Sequence, residues 1–407
     1  MKRDPASGWP HVVVLEPESA GLALARTMVR AGARVTLVVL PGHELETHSR
    51  GVERVVASYE PNGEPWLEAV QRLASNGDEL AVLPMTDRGS ELLSTAAARV
   101  PSNARAFERS SEAHMALMDK ETADGIARRA GVAVPWTRVV HSVAELDELA
   151  SIAPWPCVVK PIYSHAWRER YGEERVFIVR DAQEAAQLVE QPLRDGVGML
   201  LCQYIPGGDA DVEEAIVVRL ADGSYPVCFG CHKLRQSPRG FGATALGVSD
   251  PLPETTAMAR RVLDAAGFVG VAGVETKRHK ETGERWFLEV NVRVPAQWGL
   301  GDACGADASR RLVSALAGRE LGEAPVPRAG VGIVVPVLDA VVVRKLLREV
   351  PARRRPAELL RLLRPYLKAR ELGLLDPRDP GPGLAWARSI AGRRLSRLRR
   401  GQHGAGR

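Results

Sequence analysis

The segment FLEVNVR, residues 287–293, combines residue types suited to holding a cation and an anion side by side. Read with the two-residue period of a strand, Leu288, Val290 and Val292 face a core, while Glu289, Asn291 and Arg293 share the opposite face. The preceding run, GVETKRHKETGERW (273–286), supplies a partner strand. A three-residue loop of Glu281, Thr282 and Gly283 puts glycine where a left-handed conformation is wanted. That register sets Lys280 opposite Glu284 and, further back along the ladder, Glu275 opposite Glu289. Two carboxylates so close repel unless a cation sits between them. Asn291 adds a neutral oxygen, and an all-oxygen set suits Mg²⁺ completed by phosphates and water; Mn²⁺ accepts the same ligands. Arg293 suits a bidentate contact with phosphate or carboxylate. A solvated face of mixed charge, balanced by Lys277 and Lys280, is the competing reading of the same residues.

Other residues extend the pattern. Lys160 ends the apolar run PCVVKPI (156–162), where a single ammonium can reach a nucleotide phosphate. Lys120 falls in the first turn of a helix, where it opposes the dipole and needs another reason to be present. LLCQYIPGG (200–208) is an apolar strand followed by backbone groups freed by Pro206 and two glycines, suited to an adenine edge. Asp209 and Asp211 follow it, within reach of ribose hydroxyls. YPVCFGCHKLRQ (225–236) reads as strand. Cys228 and Cys231 form a CxxC with no second pair to complete a zinc site, and they read as strand positions.

Taken in order, Lys120, VVKP, QYIPGGD, GVE and FLEVNVR resemble the ATP-grasp superfamily. Within it the similarity is to the carboxylate–amine ligase branch that includes D-aspartate ligases and mycosporine-forming ligases. The resemblance covers about residues 10–325, and ACGADASRRLVSALAGREL is similar to the helix that closes the large lobe. It implies a fold with α/β and α+β parts, in which a pre-ATP-grasp domain precedes two lobes that clamp ATP. It further implies that Lys120 and Lys160 contact ATP phosphates. Gln203, Tyr204 and Ile205 would form the adenine hinge, with Asp209 on the ribose, and Glu275, Glu289 and Asn291 would hold Mg²⁺. Arg293 would bind the transferred phosphate or the substrate carboxylate, and Lys233 and Arg235 the acyl phosphate. Two departures stand out. The segment YSHAWRERYGEER (163–175), which would cover the phosphates through Ser164, His165 or Trp167, has one glycine, and Gln203 replaces a glutamate common among relatives. The implied reaction forms an amide through an acyl phosphate, and it relies on positioning and charge neutralisation rather than a nucleophilic side chain. A nucleotide-binding regulatory protein on the same fold is the alternative, weakened by the intact Glu275, Glu289 and Asn291.

The elements that must position these residues are legible at coarse grain. HVVVLEP, SAGLALARTMVRAG and ARVTLVVL read as a βαβ opening and hence a parallel sheet. The turn LEPESAG lacks the GxGxxG pattern, so a dehydrogenase is unsupported. The expected divisions are 1–112 for the pre-ATP-grasp domain, 113–205 for the small lobe and its linker helix, 206–328 for the large lobe, and 329–407 for a basic helical extension. A chain of 407 residues needs more than one core. Hydrophobic residues at 45% and charged residues at 26% are ordinary for a globular enzyme, and five cysteines do not suggest a disulfide framework.

The net charge of +5 hides an asymmetry: residues 344–407 hold 18 Lys/Arg against 5 Asp/Glu, a net of +13 that leaves −8 for the rest. The extension's leucines, Ile390 and Trp386 fall at helical spacing, which suits an anionic membrane surface. Specific nucleic-acid binding is not expected, a homodimer is, and small-molecule carboxylates and amines are the expected substrates. The absence of a signal-like start points to the cytoplasm, with peripheral contact at the inner face of the membrane.

Overall fold

The computed structural model describes residues 8–109, 111–162, 167, 170–172 and 176–391. Strands β1 (His11–Leu15), β2 (Val35–Val39), β3 (Val52–Val56), β4 (Leu80–Pro84) and β5 (Ala104–Arg105) form a parallel sheet in the order β3-β2-β1-β4-β5. Every residue of β1, β2 and β4 is buried. Helices cover both faces, so these strands read as unbroken apolar runs rather than alternating ones. The crossover helices are α1 (Glu18–Arg30), α2 (Glu64–Ala74) and α3 (Asp87–Thr95). Helices α4 (Ser111–Met118) and α5 (Lys120–Arg129) then lead out of this domain. The α5 start is fixed by Asp119, whose carboxylate accepts the Thr122 N–H at 2.9 Å.

The second sheet is antiparallel, with strands β6 (Thr137–Val140), β7 (Cys157–Pro161), β8 (Phe177–Val179) and β9 (Met199–Gln203) in the order β6-β9-β7-β8. Helices α6 (Val143–Leu149) and α7 (Ala182–Arg194) complete this lobe around a core of its own. Trp167 belongs to that core, packed against Tyr171 and Phe177. It anchors the lobe instead of covering phosphates, while Ser164 and His165 lie outside the described residues.

The third sheet is the largest. Its strands are β10 (Val212–Arg219), β11 (Val227–Ser237), β12 (Ala243–Asp250), β13 (Gly270–Arg278), β14 (Arg285–Asn291), β15 (Gly332–Val334) and β16 (Ala369–Glu371). They are ordered β14-β13-β10-β11-β12-β15-β16. Helices α8 (Pro253–Ala265), α9 (Trp298–Ala303) and α10 (Ala308–Leu316) pack on it. One continuous core joins this sheet to the first domain, with Phe229, Trp298 and Leu312 meeting Leu24 and Met28. The small lobe is therefore the separately packed part, and a cleft opens along its border with the large one.

Residues beyond 328 correct the expected helical extension. Helices α11 (Pro336–Glu349) and α12 (Arg355–Leu363) are present, but β15 and β16 also add two strands to the large sheet. Further on, Asp379 accepts from Arg26 Nε at 2.8 Å, Ser49 Oγ at 2.6 Å and the Arg50 N–H at 3.2 Å. Those contacts fasten the chain back onto the first domain. Among the described residues no helix is long and apolar enough to cross a membrane.

The junction between the first domain and α4 holds a buried acid. Burial pushes the Glu108 carboxyl up to about 8, against a backbone hydrogen bond that lowers it. The folded state thus keeps a proton that the unfolded chain releases near the ordinary 4.5, and stability falls as pH rises between these values. Glu108→Gln removes the effect. Its melting temperature should exceed the wild type's at about pH 9 by several degrees and match it at about pH 5. An equal change at both pH values would contradict this account.

Candidate active site

The hairpin of β13 and β14 brings Glu275 opposite Glu289, as the sequence predicts, but by a different route. The loop spans residues 280–283, closed by the His279 N–H on the Glu284 carbonyl, and Gly283 takes φ +74°. The register is therefore one residue off near the turn, with Arg278 opposite Arg285. A bulge at Leu288 restores it, because Thr276 pairs with Phe287 while Glu275 pairs with Glu289. The bulge puts Phe287 in the core and leaves Leu288 lining the cleft. It also frees the Leu288 carbonyl, which accepts a hydrogen bond from Lys120 Nζ. Asp124, one turn along α5, takes the same ammonium at 2.7 Å.

A third carboxylate completes the row. Glu214 on β10 pairs with Glu275 on β13, so Glu214, Glu275 and Glu289 lie in register across three neighbouring strands. Glu214 is wholly buried, and neither carboxylate oxygen has a hydrogen-bond partner among the described residues. Burial, with Glu275 and Glu289 adding to it, pushes this carboxyl up to about 8 against the pull of Lys233 and Arg293. Room for it comes from Gly273, where a Cβ atom would lie 2.3 Å from Glu214 Oε1.

Five cations surround this row: Lys120, Lys160, Lys233, Lys277 and Arg293 all line one cleft of about 380 Å³. Lys233 is buried and hydrogen-bonded to Glu275. Burial works against its ammonium, but Glu275 and Glu214 outweigh that and hold its pKa above the ordinary range. Glu289 opens onto the cleft. The enclosing walls tend to raise its pKa, yet Lys160, Lys233, Lys120 and Arg293 together hold it below the usual carboxylate range. Arg293 donates from Nε to Asp87 at 2.7 Å and from Nη2 to Asn291 Oδ1 at 3.3 Å. Asp87 opens α3 at the point where the parallel sheet reverses its strand order, so the first domain reaches the cleft through this pair.

The opposite wall belongs to the small lobe. Lys160 ends β7, and Gln203, Tyr204 and Ile205 follow β9 along the cleft. Gln203 is held by Trp136, whose N–H donates to the Gln203 Oε1 at 3.2 Å. Lys277 lies 5.1 Å from the Tyr204 ring centroid, and burial lowers its pKa. Apolar walls with a few convergent charges, at this volume, suit a nucleotide-sized ligand.

Two predicted site residues fall elsewhere. Arg235 does not line the cleft: it donates from Nε and Nη2 to Asp339 at 2.6 and 2.7 Å and from Nη1 to the Leu362 carbonyl at 3.1 Å. Period-two spacing would put it beside Lys233, but a bulge in β11 between them turns it away. Asp209 is likewise used by the protein. Its carboxylate accepts the Gly240 N–H at 2.7 Å and the Gln236 N–H at 2.9 Å, which leaves it a loop tie rather than a ribose ligand. Asp211 pairs with Arg278 at 2.8 Å. Glu214 and Lys277 were the site residues that sequence pattern alone did not single out as ligands.

The donor set fits a hard divalent cation. All the groups are oxygens, and the Glu214 carboxyl offers two buried oxygens without a hydrogen-bond partner among the described residues. Among the described residues no three acidic, His or Cys side chains converge into a ready cage. Mg²⁺ binds through one or two carboxylates and completes its shell with phosphate and water.

No family model matches the chain. A curated relative, the N-terminal section of the carbamoyl phosphate synthase large chain from Methanopyrus kandleri, is 27% identical over 238 residues. That match takes in 56% of this chain and 41% of the relative, so the chain spans about two fifths of its length. Among solved structures, an ADP complex of N5-carboxyaminoimidazole ribonucleotide synthetase aligns with a TM-score of 0.62 at 17% identity. It covers 80% of this chain and 81% of that one. The ATP-analogue complex of biotin carboxylase from Campylobacter jejuni aligns at 0.59 and 15% identity, covering 81% and 75%. The biotin carboxylase domain dimer of Hydrogenobacter thermophilus 2-oxoglutarate carboxylase, with MgADP and bicarbonate, aligns at 0.61 and 13%, covering 80% and 73%. Likeness at this level of identity establishes the fold.

Proposed function

We propose that this chain, whose fold is that of the ATP-grasp proteins, is an ATP-dependent carboxylate–amine ligase of small-molecule, cell-envelope or natural-product precursors. The observation that carries the reading is the row of Glu214, Glu275 and Glu289 beneath five cations in one nucleotide-sized cleft. A Mg²⁺ ion held by Glu275, Glu289 and Asn291 would supply charge neutralisation for the ATP phosphates.

The chain's own residues account for the rest. Lys120 and Lys160 approach from opposite walls and suit the phosphates, while Gln203, Tyr204 and Ile205 suit the adenine. Arg293 and Lys233 remain as anion holders on the substrate side. In the proposed reaction a substrate carboxylate oxygen attacks the γ-phosphorus, the bond to ADP breaks, and an acyl phosphate forms. An amine nitrogen then attacks the acyl carbon, phosphate leaves with the carbon–oxygen bond pair, and the amine proton passes to solvent. Positioning and charge supply such a rate gain without a covalent enzyme intermediate. A panel of amino-acid and hydroxy-acid carboxylates crossed with amines, read by ADP release, tests this. A pair that raises ADP release above the ATP-only rate supports a ligase, whereas tight ATP binding with no stimulation across the panel supports the regulatory reading.

Gly273→Ala probes Glu214 indirectly. The added methyl displaces a flexible carboxylate, not backbone, so folding should persist. Mg²⁺-dependent ADP affinity should fall by about tenfold, measured by calorimetry, while the melting temperature moves by only a few degrees. Unchanged affinity would remove Glu214 from the site.

A further inference from the structure

The geometry points to the α11–α12 unit as a docking face for an anionic phospholipid bilayer. Helix α12 is amphipathic with its leucines reversed. Leu362 alone packs inward, and its carbonyl accepts the Arg235 bond. Leu359, Leu360 and Leu363 are exposed, as is Leu367 in the following turn Arg364–Lys368. Leu360 is 73% and Leu367 79% accessible, and with Leu363 they fall at i, i+3 and i+7, one stripe of a helix surface. Single exposed leucines are unremarkable, but four within nine residues, three of them at i, i+3 and i+7, mark an interaction surface.

Charge decides the kind of partner. Residues 344–370 hold ten Lys/Arg against two Glu, a net of +8 within this unit. Arg353, Arg354, Arg355, Arg364 and Lys368 flank the leucine row and form no ion pair among the described residues. Between the two helices lies a groove of about 460 Å³, whose walls include Val343, Leu347 and Leu363, with Arg344, Arg348 and Arg355 beside them. Apolar depth under three guanidiniums suits part of an acyl chain beneath a phosphate. A second copy of this face would meet eight like charges, and a nucleic acid would leave the leucines in water. An anionic bilayer satisfies both halves of the surface.

Of the two basic segments to which the sequence points, 351–370 and 382–401, this places membrane contact on the first, while the second runs beyond residue 391 and so outside the described residues. Residues near Asp379 are fastened to the first domain through Arg26, Ser49 and Arg50, whereas α12 and its turn present an exposed amphipathic surface. The inference does not rest on the ligase reading, since vesicle binding is measured without substrates or turnover.

Sedimentation of the full chain with phosphatidylcholine vesicles, with and without phosphatidylglycerol, provides the test. Binding is expected only with phosphatidylglycerol, weakening steeply with salt. Leu360→Glu/Leu367→Glu should lower the partition coefficient at least tenfold with melting temperature unchanged. Arg353→Gln/Arg354→Gln/Arg355→Gln should lower it and flatten the salt dependence. Three results would overturn the proposal: no binding to phosphatidylglycerol vesicles, binding that survives the leucine double variant, or a wild-type dimer that the same variant dissociates. The last would assign the face to self-association.

Discussion

Glu289→Ala is expected to reduce substrate-stimulated ADP release at least ~100-fold while leaving the protein folded. The size follows from position. Glu289 is the carboxylate on which Lys160, Lys233, Lys120 and Arg293 all act, and it sits opposite Glu275. Removing it deletes one of the two charged ligands proposed for Mg²⁺ and leaves four cations facing less negative charge. Folding should survive because the side chain opens onto the cleft instead of filling a core. The sharper readout is binding. Metal-free ADP should bind as well as to the wild type or better, since the cleft has become more positive, whereas the gain in affinity on adding Mg²⁺ should vanish. Titration calorimetry with and without Mg²⁺ separates these terms. A variant that keeps both its turnover and its Mg²⁺ dependence would place the metal elsewhere.

The parts of the molecule readable from sequence are those whose physics is local. HVVVL and VTLVV announce a parallel sheet because strands covered on both faces are apolar throughout. Asp119 announces the start of α5 because a cap acts within three residues. The sequence reaches the Glu275–Glu289 pairing through a loop one residue too short, and the pairing holds only because the bulge at Leu288 compensates. A period-two count carries no sign of such a bulge, and the same blindness placed Arg235 beside Lys233. Glu214 was illegible for another reason. Its neighbours across the sheet come from β11 and β13, and the β13 partner lies some sixty residues away in a pairing set by tertiary packing. Within VEEAIVV, Glu213 on the other face bonds Arg285 and Thr255 while Glu214 enters the site. Strands β15 and β16, at three residues each, are too short for any pattern to declare them.

Asp339→Ala should destabilise the protein by about 3–5 kcal/mol, the second largest effect expected. Asp339 is fully buried and accepts from Arg235 Nε and Nη2 together with the Tyr366 hydroxyl at 2.6 Å. Burial, with the Asp339 carboxylate next, raises the Tyr366 pKa, so that hydroxyl is held as a donor. Alanine would leave a guanidinium, 8% exposed, without its counter-charge and a phenol without its acceptor. A loss of that size is a large share of an ordinary domain's stability. Removing the whole pair is a different matter, because two buried ions cost desolvation that an apolar pair avoids. Arg235→Met/Asp339→Leu should therefore recover most of the denaturant midpoint that Asp339→Ala loses. The double variant also decides what Arg235 does. If the guanidinium only pins β11 to α11 and α12, the refilled variant turns over at a rate near the wild type's. A stable double variant without ADP release would return Arg235 to the chemistry of the cleft, and would require the strand to reach it by a motion that breaks three hydrogen bonds.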